Sequence, residues 1–453
     1  MKIGLIGNMN NNNFALLRYF RDLGADAHLL LYADDGTGSL AHFAPEADTW
    51  QIEKWAPFIH RTSLKNDAVC ALHPIFSWML AAKSALQMNW RDTKRHINPL
   101  SAAELHKLLA PFDKLVGSGI TPAMLQKINR TLDIFYPYST NVEYLYTAEF
   151  INRIENSDVI TKRMLQNVQK RQAQGIRASR HALSADPGLT FESLVQIGAN
   201  AKQFAIPMVY VETETSGVPA DPFLNGVIQK MQAQDLSIFH HARNIWGNRN
   251  GYPDEIWRNE NKNTDWLIHG FASLLSERPH IRSHLFILEY GPDVDLSKAL
   301  INELGIAKHV TWLALMPRKS LMSLLSHASL GVGQFYEIPA MIWGGTGWET
   351  LASGKPLLQG FQFEPGQFER QFGYPPPPML PVSKREDLIK QLLFAADQPQ
   401  ALQAIGHEAR SWFNQFNGRT LAQSWLTFLA NDPSTKATPR SRTQKLRRYD
   451  KSQ

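Results

Sequence analysis

The sequence is short of cysteines and of long apolar runs. Cys70 is the only cysteine among 453 residues, so no disulfide can form within the chain, which fits a reducing compartment. No apolar run reaches the roughly eighteen residues that a membrane-spanning helix requires. The apolar part of the first residues, MKIGLIGNMNNNNF, is too short for a signal peptide. We therefore expect a cytoplasmic protein.

Most of the chain also lacks an excess of positive charge, which is concentrated in residues 431–453. The formal net charge is +6, and residues 431–453 hold seven Lys or Arg against two Asp, a net +5. The remainder is close to neutral, which argues against a nucleic-acid-binding surface. We expect the segment 431–453 to be disordered because it has few apolar residues. It is either a solubilising tail or a peripheral contact with an anionic membrane.

Alternating apolar runs and helical patterns predict an α/β protein. Lys2–Gly7, Asn13–Gly24 and Asp26–Tyr32 have the patterns of a strand, a helix and a strand, which together form a βαβ unit and begin a parallel sheet. Three later apolar runs are further predicted strands: Lys114–Gly119, Leu132–Tyr138 and Phe204–Glu212.

The same alternation starts again after residues 212–222, where ETETSGVPADP is rich in turn formers and forms the predicted linker. We therefore predict one domain over residues 1–211 and a second over residues 223–405. In the second domain the predicted strands are the start of Leu236–Trp246, His284–Gly291, His309–Ala314 and Leu330–Phe335. The predicted helices between them are Thr264–Leu275, Ser297–Ile306 and Arg318–Ala328.

A glycine-rich stretch, GGTGWETLASGKPLLQG, begins at Gly344, after the last of these strands. It predicts a turn that leads into a helix, whose first N–H groups form an anion site that usually holds phosphate. Its spacing matches neither a Walker loop nor the dinucleotide fingerprint. Glu349, expected in the first helical turn, would be free to accept hydrogen bonds from sugar hydroxyls. A tight structural turn explains the same composition.

Three pieces in order carry a resemblance to a known family: HHARNIW…NKNTDWLIHGFASLL, FILEYGPDVDLSKALINELGIAKHVTWLALMPRKSLMSLLSHASLGVGQF and GTGWETLASGKPLL. The sequence resembles the GT-B fold glycosyltransferases, most closely the family-4-like group that uses nucleotide-diphosphate sugars. The resemblance implies two Rossmann-like doubly wound domains that face a cleft. It also implies that the helices of residues 406–430 cross back onto the first domain.

The resemblance assigns roles to single residues. Arg243 and Lys262 match the two cations that hold the donor diphosphate without a metal ion. Negative charge grows on this group as the glycosidic bond breaks, and fixed cations stabilise it. Glu349 matches the second glutamate of the Glu-x7-Glu motif, which holds the donor ribose. Four residues would form the loop that faces the phosphates and the sugar: Gly344, Gly345, Thr346 and Gly347.

The first glutamate of that motif is missing. Its position is occupied by Met341, and the nearest upstream acid is Glu337, four residues earlier. Either Glu337 takes the role after an insertion, or the sugar is held differently. The substitution also keeps a non-catalytic protein open as an alternative.

Other polar residues are weaker candidates. The run Asn8–Asn13 replaces the usual glycines of the first loop, and Asn10 in it either binds the donor or belongs to a turn that caps the next helix. Asp293 and Asp295 are better explained by a turn with Asp295 as a helix N-cap than by a metal site. Six further residues are interpreted as structural or left undecided: His60, His73, Asp133, Glu143, His240 and His241.

The sequence thus predicts a glycosyltransferase that moves a sugar from a nucleotide-diphosphate sugar to a saccharide or lipid-linked acceptor. We expect retention of configuration, no metal and no cofactor, no nucleic-acid partner, and a role in cell-surface polysaccharide or glycoconjugate synthesis. The alternatives are a non-catalytic GT-B homologue that binds nucleotide sugars or saccharides, and a GT-B-fold nucleotide-sugar epimerase.

Overall fold

The computed structural model describes residues 1–32, 44–62, 102–137, 151, 154–185, 187–212, 221–247, 257–258, 260–337 and 343–430. Several sequence predictions lie outside the described residues: those on His73, on Glu143, on Met341, on positions 213–220 of the linker and on segment 431–453.

The first sheet has seven parallel strands in the order β3-β2-β1-β4-β5-β6-β7. They are β1 (Lys2–Ile6), β2 (Asp26–Tyr32), β3 (Ile59–Thr62), β4 (Lys114–Gly117), β5 (Ile134–Phe135), β6 (His181–Ser184) and β7 (Ala201–Gln203). Its helices are α1 (Asn12–Asp22), α2 (Ile52–Trp55), α3 (Ala102–Leu109), α4 (Thr121–Leu125), α5 (Val159–Ala178) and α6 (Leu189–Ile197).

The second sheet has six parallel strands in the order β10-β9-β8-β11-β12-β13. They are β8 (Leu236–His240), β9 (Ser283–Leu288), β10 (Val310–Leu313), β11 (Leu330–Val332), β12 (Leu357–Gly360) and β13 (Leu380–Val382). Its helices are α7 (Pro222–Gln232), α8 (Thr264–Glu277), α9 (Val294–Glu303), α10 (Arg318–Leu325), α11 (Gly344–Ala352), α12 (Gln367–Phe372), α13 (Arg385–Asp397) and α14 (Pro399–Phe416), and the last helix is α15 (Gly418–Ala430).

In both sheets the first strand lies in the interior, the next two strands are added on one side of it, and the later strands are added on the other side. This is the doubly wound Rossmann arrangement. Apolar side chains alternate between the two faces, so helices cover each sheet on both sides. In β1, Leu5 and Ile6 belong to different cores, and in β8 the same is true of Ile238 and Phe239. Residues that follow strands of the two sheets are in contact: Arg318, after β10, donates to the carbonyl of Asn10, after β1. The domain boundaries stay predictions.

One predicted strand is wrong. Phe204–Glu212 has no regular secondary structure, and the short edge strand β7 comes before it. Its backbone bonds to side chains of helices instead: the Tyr19 hydroxyl contacts Val209 O and Val211 N, both at 3.1 Å, and Trp425 in α15 donates to Ala205 O at 2.8 Å. The apolar residues of the segment therefore pack against α1 and α15 rather than pair in the sheet.

The last helix, α15, packs on the first domain, where Trp425 is fully buried beside Tyr136. Among the helices in the described ranges, none has the length and apolarity needed to cross a bilayer.

Candidate active site

The glycine-rich stretch is the start of a helix rather than a loop before one. Because α11 begins at Gly344, the predicted loop of Gly344, Gly345, Thr346 and Gly347 is its first turn. Glu349 consequently lies in the second turn and not in the first. Glycine disfavours helix, but here the backbone N–H of Gly347 closes the turn on the Trp343 carbonyl at 2.9 Å. Tertiary packing of the buried Trp343 thus overrides local propensity.

Gly344 is required where the chain enters this helix. Its φ is +56°, which side chains with a Cβ rarely adopt, and a Cβ there would lie 2.7 Å from Gln334 Nε2. The chain can therefore turn sharply after Trp343 and place the first N–H groups of α11 beside the carboxyl end of β11.

Glu349 is 6% exposed, and both of its oxygens have partners. Oε1 accepts from Arg318 Nε at 2.7 Å, and Oε2 accepts from His241 Nε2 at 2.9 Å. Burial alone would raise the pKa of Glu349, but the charges and hydrogen bonds of Arg318 and His241 hold it below its ordinary value. The carboxylate is therefore already paired in this structure, and each oxygen can accept one more hydrogen bond. Its contact with sugar hydroxyls stays a prediction.

Arg318 was missed by the sequence analysis. Besides Glu349, it contacts the first domain: its Nη1 donates to the Asn10 carbonyl at 3.0 Å and to Asp48 Oδ1 at 3.1 Å. One signal was available in the sequence. Arg318 was expected at the start of a helix, where a cation is disfavoured by the helix dipole unless acids compensate it.

Lys262 lies between β8 and α8, two residues before α8 begins. Lys262 is 4% exposed. Its ammonium donates to the Tyr336 hydroxyl and lies 4.3 Å from the centre of the Tyr336 ring. Among the residues that the structure describes, no carboxylate is within ion-pair distance of it. Burial lowers the pKa of Lys262 to about 7; Glu260 raises it and Arg243 lowers it further.

Arg243 is the second cation of this cluster, and its side chain is 46% exposed. Its Nη2 is 3.6 Å from Glu260 Oε2, and its charge acts on the pKa values of both Lys262 and Tyr336. The backbone N–H of Lys262 donates to Ile245 O at 2.8 Å, which joins its loop to the one that carries Arg243.

Glu337 is exposed and lies 3.5 Å from Asn263 Nδ2, next to the start of α8. Asn10 and Asn11 have positive φ values of 53° and 57°, the left-handed backbone that asparagine tolerates. In the same loop, Asn8 Oδ1 accepts from the Phe14 N–H at 2.9 Å, as the capping interpretation predicts.

Asp293, and not Asp295, is the residue before α9. Its carboxylate accepts from the backbone N–H groups of Trp246 and Gly247 at 2.7 and 3.0 Å. The Asp293 carboxylate thus joins the start of α9 to the loop after β8. No group of three or more His, Cys, Asp or Glu placed to hold a metal ion occurs within the described ranges.

The remaining candidates lie in other environments. His60 contacts His28 at 2.9 Å, and Asp133 accepts from Lys114 at 3.0 Å, both within the first domain. His240 is buried at the end of β8, and burial, together with the charge of His241, lowers its pKa to about 3.

No family model and no curated protein matches the sequence. Solved structures do match. Anabaena HepE in complex with UDP and glucose superposes with a TM-score of 0.56 at 13% identity, covering 95% of this chain and 99% of that one. The chain has the GT-B glycosyltransferase fold. Sucrose-phosphate synthase from Thermosynechococcus elongatus shares this fold at a TM-score of 0.56 and 11% identity, over 94% of this chain and 98% of that chain. S. aureus TarM also shares this fold, with a TM-score of 0.51 at 10% identity, over 95% of this chain and 100% of that one. The GT-B prediction is confirmed.

Proposed function

We propose that this GT-B protein is a glycosyltransferase that moves a sugar from a nucleotide-diphosphate sugar to a saccharide or lipid-linked acceptor. One observation carries the proposal. Lys262 is a buried lysine with no carboxylate within ion-pair distance among the described residues, and the charge of Arg243 acts on its pKa. Both follow β8, at the edge where open α/β sheets bind ligands.

A diphosphate supplies what this cluster lacks. Its negative charge would raise the pKa of Lys262 and restore the ammonium form. As the bond to the sugar breaks, charge accumulates on the leaving phosphate, and Lys262, Arg243 and the N-terminal N–H groups of α11 can stabilise it together. In this proposal the three groups take the place of a metal ion.

The donor to test first is a UDP-sugar, because the HepE structures contain UDP-glucose in one case and UDP with glucose in the other. TarM is in complex with UDP and saccharide ligands, which favours a saccharide acceptor here. We further propose retention, with the leaving phosphate taking the acceptor proton.

A thermal-shift panel of nucleotides and nucleotide sugars tests the donor, because a ligand that binds the native state raises its stability. We expect UDP and at least one UDP-sugar to raise the melting temperature of the wild type. Transfer to saccharide acceptors is then followed by product analysis. If no nucleotide sugar of the panel shifts the melting temperature, the proposal is wrong.

A non-catalytic nucleotide-sugar-binding protein is a second candidate. It is favoured by the Glu349 carboxylate, which Arg318 and His241 already neutralise. Binding without turnover over many acceptors would support it. A nucleotide sugar isomerised in the absence of acceptor would instead indicate an epimerase.

A cytoplasmic location, and contact of segment 431–453 with anionic membranes, complete the proposal. Its basic residues would give salt-dependent binding to vesicles that contain phosphatidylserine. A chain without residues 431–453 should lose that binding and keep its nucleotide affinity, as measured by co-sedimentation and thermal shift.

A further inference from the structure

One side chain, Arg318, contacts both domains. It is the first residue of α10 and its side chain is 16% exposed. Its Nε donates to Glu349 in the second domain, and its Nη1 donates to Asp48 and to the carbonyl of Asn10 in the first. The guanidinium is rigid and planar, so when one partner shifts, the N–H groups that donate to the other partners move as well.

Without these partners, a buried cation at the position of Arg318 would destabilise the folded protein. A cation at a helix N-terminus opposes the helix dipole, and taking it out of water adds a desolvation cost. Asp48 and Glu349 compensate both effects, and together they hold the pKa of Arg318 above its ordinary value against the effect of burial. Asp48 and Glu349 therefore fix the side chain between them.

The first-domain partner is itself held firmly. The side chain of Asp48 is 3% exposed and its second oxygen pairs with Arg18, which is fully buried. Arg18 Nη1 lies 3.5 Å from Glu212, the first residue of the predicted linker. A line of alternating charges thus runs from Glu349, through Arg318, Asp48 and Arg18, to Glu212.

We propose that Arg318 is a positioning residue that orients the Glu349 carboxylate for the ribose of the donor, and that Asp48 holds Arg318 in place from the other domain. The inference rests on the proposed function, which supplies the nucleotide. Arg318 and His241 occupy one acceptor position on each oxygen of Glu349, so two positions stay available for ribose hydroxyls. Donor affinity then depends on a residue of the first domain.

The test compares UDP with 2′,3′-dideoxy-UDP, which lacks both ribose hydroxyls. Hydrogen bonds from these hydroxyls to an oriented carboxylate should make the wild type bind UDP at least about tenfold more tightly. We expect Arg318→Lys and Asp48→Asn each to reduce this ratio to about threefold or less, because the first removes the guanidinium that Glu349 pairs with and the second removes the charge that holds that guanidinium in place. The affinity for dideoxy-UDP should stay within about twofold of wild type in both. A structural effect alone would weaken both ligands equally.

The double variant Arg318→Lys/Asp48→Asn should show the same ratio as Arg318→Lys alone, because Asp48 acts through Arg318. Asp133→Asn is the matched control: it removes another first-domain carboxylate that contacts two cations, Lys114 and Arg180, and should keep the wild-type ratio. If Asp48→Asn fails to fold because it leaves the Arg18 pair incomplete, Arg318→Lys decides.

Two results separate the inference from the function. A wild-type ratio retained in both single variants overturns the positioning role and leaves nucleotide binding standing. Equal wild-type affinities for UDP and dideoxy-UDP also overturn it, because Glu349 then does not hold the ribose. Wild-type protein that binds neither ligand contradicts a UDP-sugar donor and overturns the inference with it.

Discussion

Lys262 and Glu349 are both buried ionisable residues of the second domain, yet their surroundings differ. Glu349 receives Arg318 and His241, one on each oxygen. Lys262 has a hydroxyl and an aromatic ring as its partners, and no carboxylate among the described residues is close enough for an ion pair. The protein thus neutralises the buried Glu349 and leaves the buried Lys262 with a low pKa. A site that must bind a negatively charged ligand would have this asymmetry.

The largest expected effect is that of Lys262→Met, which should cost about 100-fold or more in affinity for a UDP-sugar. The same change should raise the free energy of unfolding of the ligand-free protein by about 1 kcal/mol, since it removes a buried charge with no opposite charge beside it. Calorimetric titration and denaturant unfolding measure the two effects. Lys298→Met, which removes a partly exposed lysine whose Nζ lies 2.6 Å from Glu289 Oε1, is the control. A loss of stability in Lys262→Met would break the comparison.

Glu349→Ala should have the opposite effect on stability. It leaves Arg318 and His241 without their shared carboxylate, and breaking a buried pair costs about 3 kcal/mol. Sugar transfer should also be lost. Glu289→Ala, which removes an exposed carboxylate, is the control. It should lower the free energy of unfolding, measured by denaturant unfolding for both variants, by less than about 1 kcal/mol. Unchanged stability in Glu349→Ala would show that its two contacts contribute nothing.

The affinity for a UDP-sugar should depend on pH through Lys262. Its pKa of about 7 means that the ligand-free lysine is charged below this pH and neutral above it. The diphosphate favours the charged form, so above pH 7 binding takes up a proton and affinity falls by up to about tenfold per pH unit. Titrations in buffers of different ionisation enthalpy count that proton. A flat affinity from about pH 6 to about pH 9 would contradict the assignment.

The smallest effect is expected from Tyr336→Phe. The hydroxyl accepts a hydrogen bond from Lys262 and donates one to Gln334, so its loss removes a group that favours the charged lysine. The pH at which affinity begins to fall should move down by about half a unit, with a few-fold loss of affinity at pH 7. Tyr374→Phe, in the aromatic cluster around Trp412, is the control. Identical pH profiles in the two variants would leave Tyr336 without a role.

Much of the second domain could be predicted from the sequence. The predicted helix Thr264–Leu275 corresponds to α8 (Thr264–Glu277), and β8 to β11 fall within the predicted apolar runs or one residue outside them. Strands buried on both faces give continuous apolar runs, and glycine or polar residues separate them from amphipathic helices. Short strands give a weaker signal, and β3, β6, β7, β12 and β13 were missed; of these, β3, β7 and β13 lie at the edges of their sheets.

The candidate site was predicted in part. Arg243, Lys262 and Glu349 lie near sequence motifs that the resemblance identifies, and their roles stay predictions. Arg318 and Asp48 were not found because their contacts join distant parts of the chain: 270 positions separate the two residues, and 108 separate His241 from Glu349. Ion pairs of this kind leave no periodic pattern in the sequence.

The sequence by itself determined the repeated α/β alternation, because apolar periodicity is a local property of each segment, and its resemblance to the GT-B fold implied the two doubly wound sheets. Only the tertiary structure decided which charges are neutralised. The electrostatic environment of a buried group depends on every residue within a few ångströms, wherever it lies along the chain. For Glu349 those residues include a cation that is anchored in the other domain, and for Lys262 they include Tyr336, Glu260 and a second cation, Arg243.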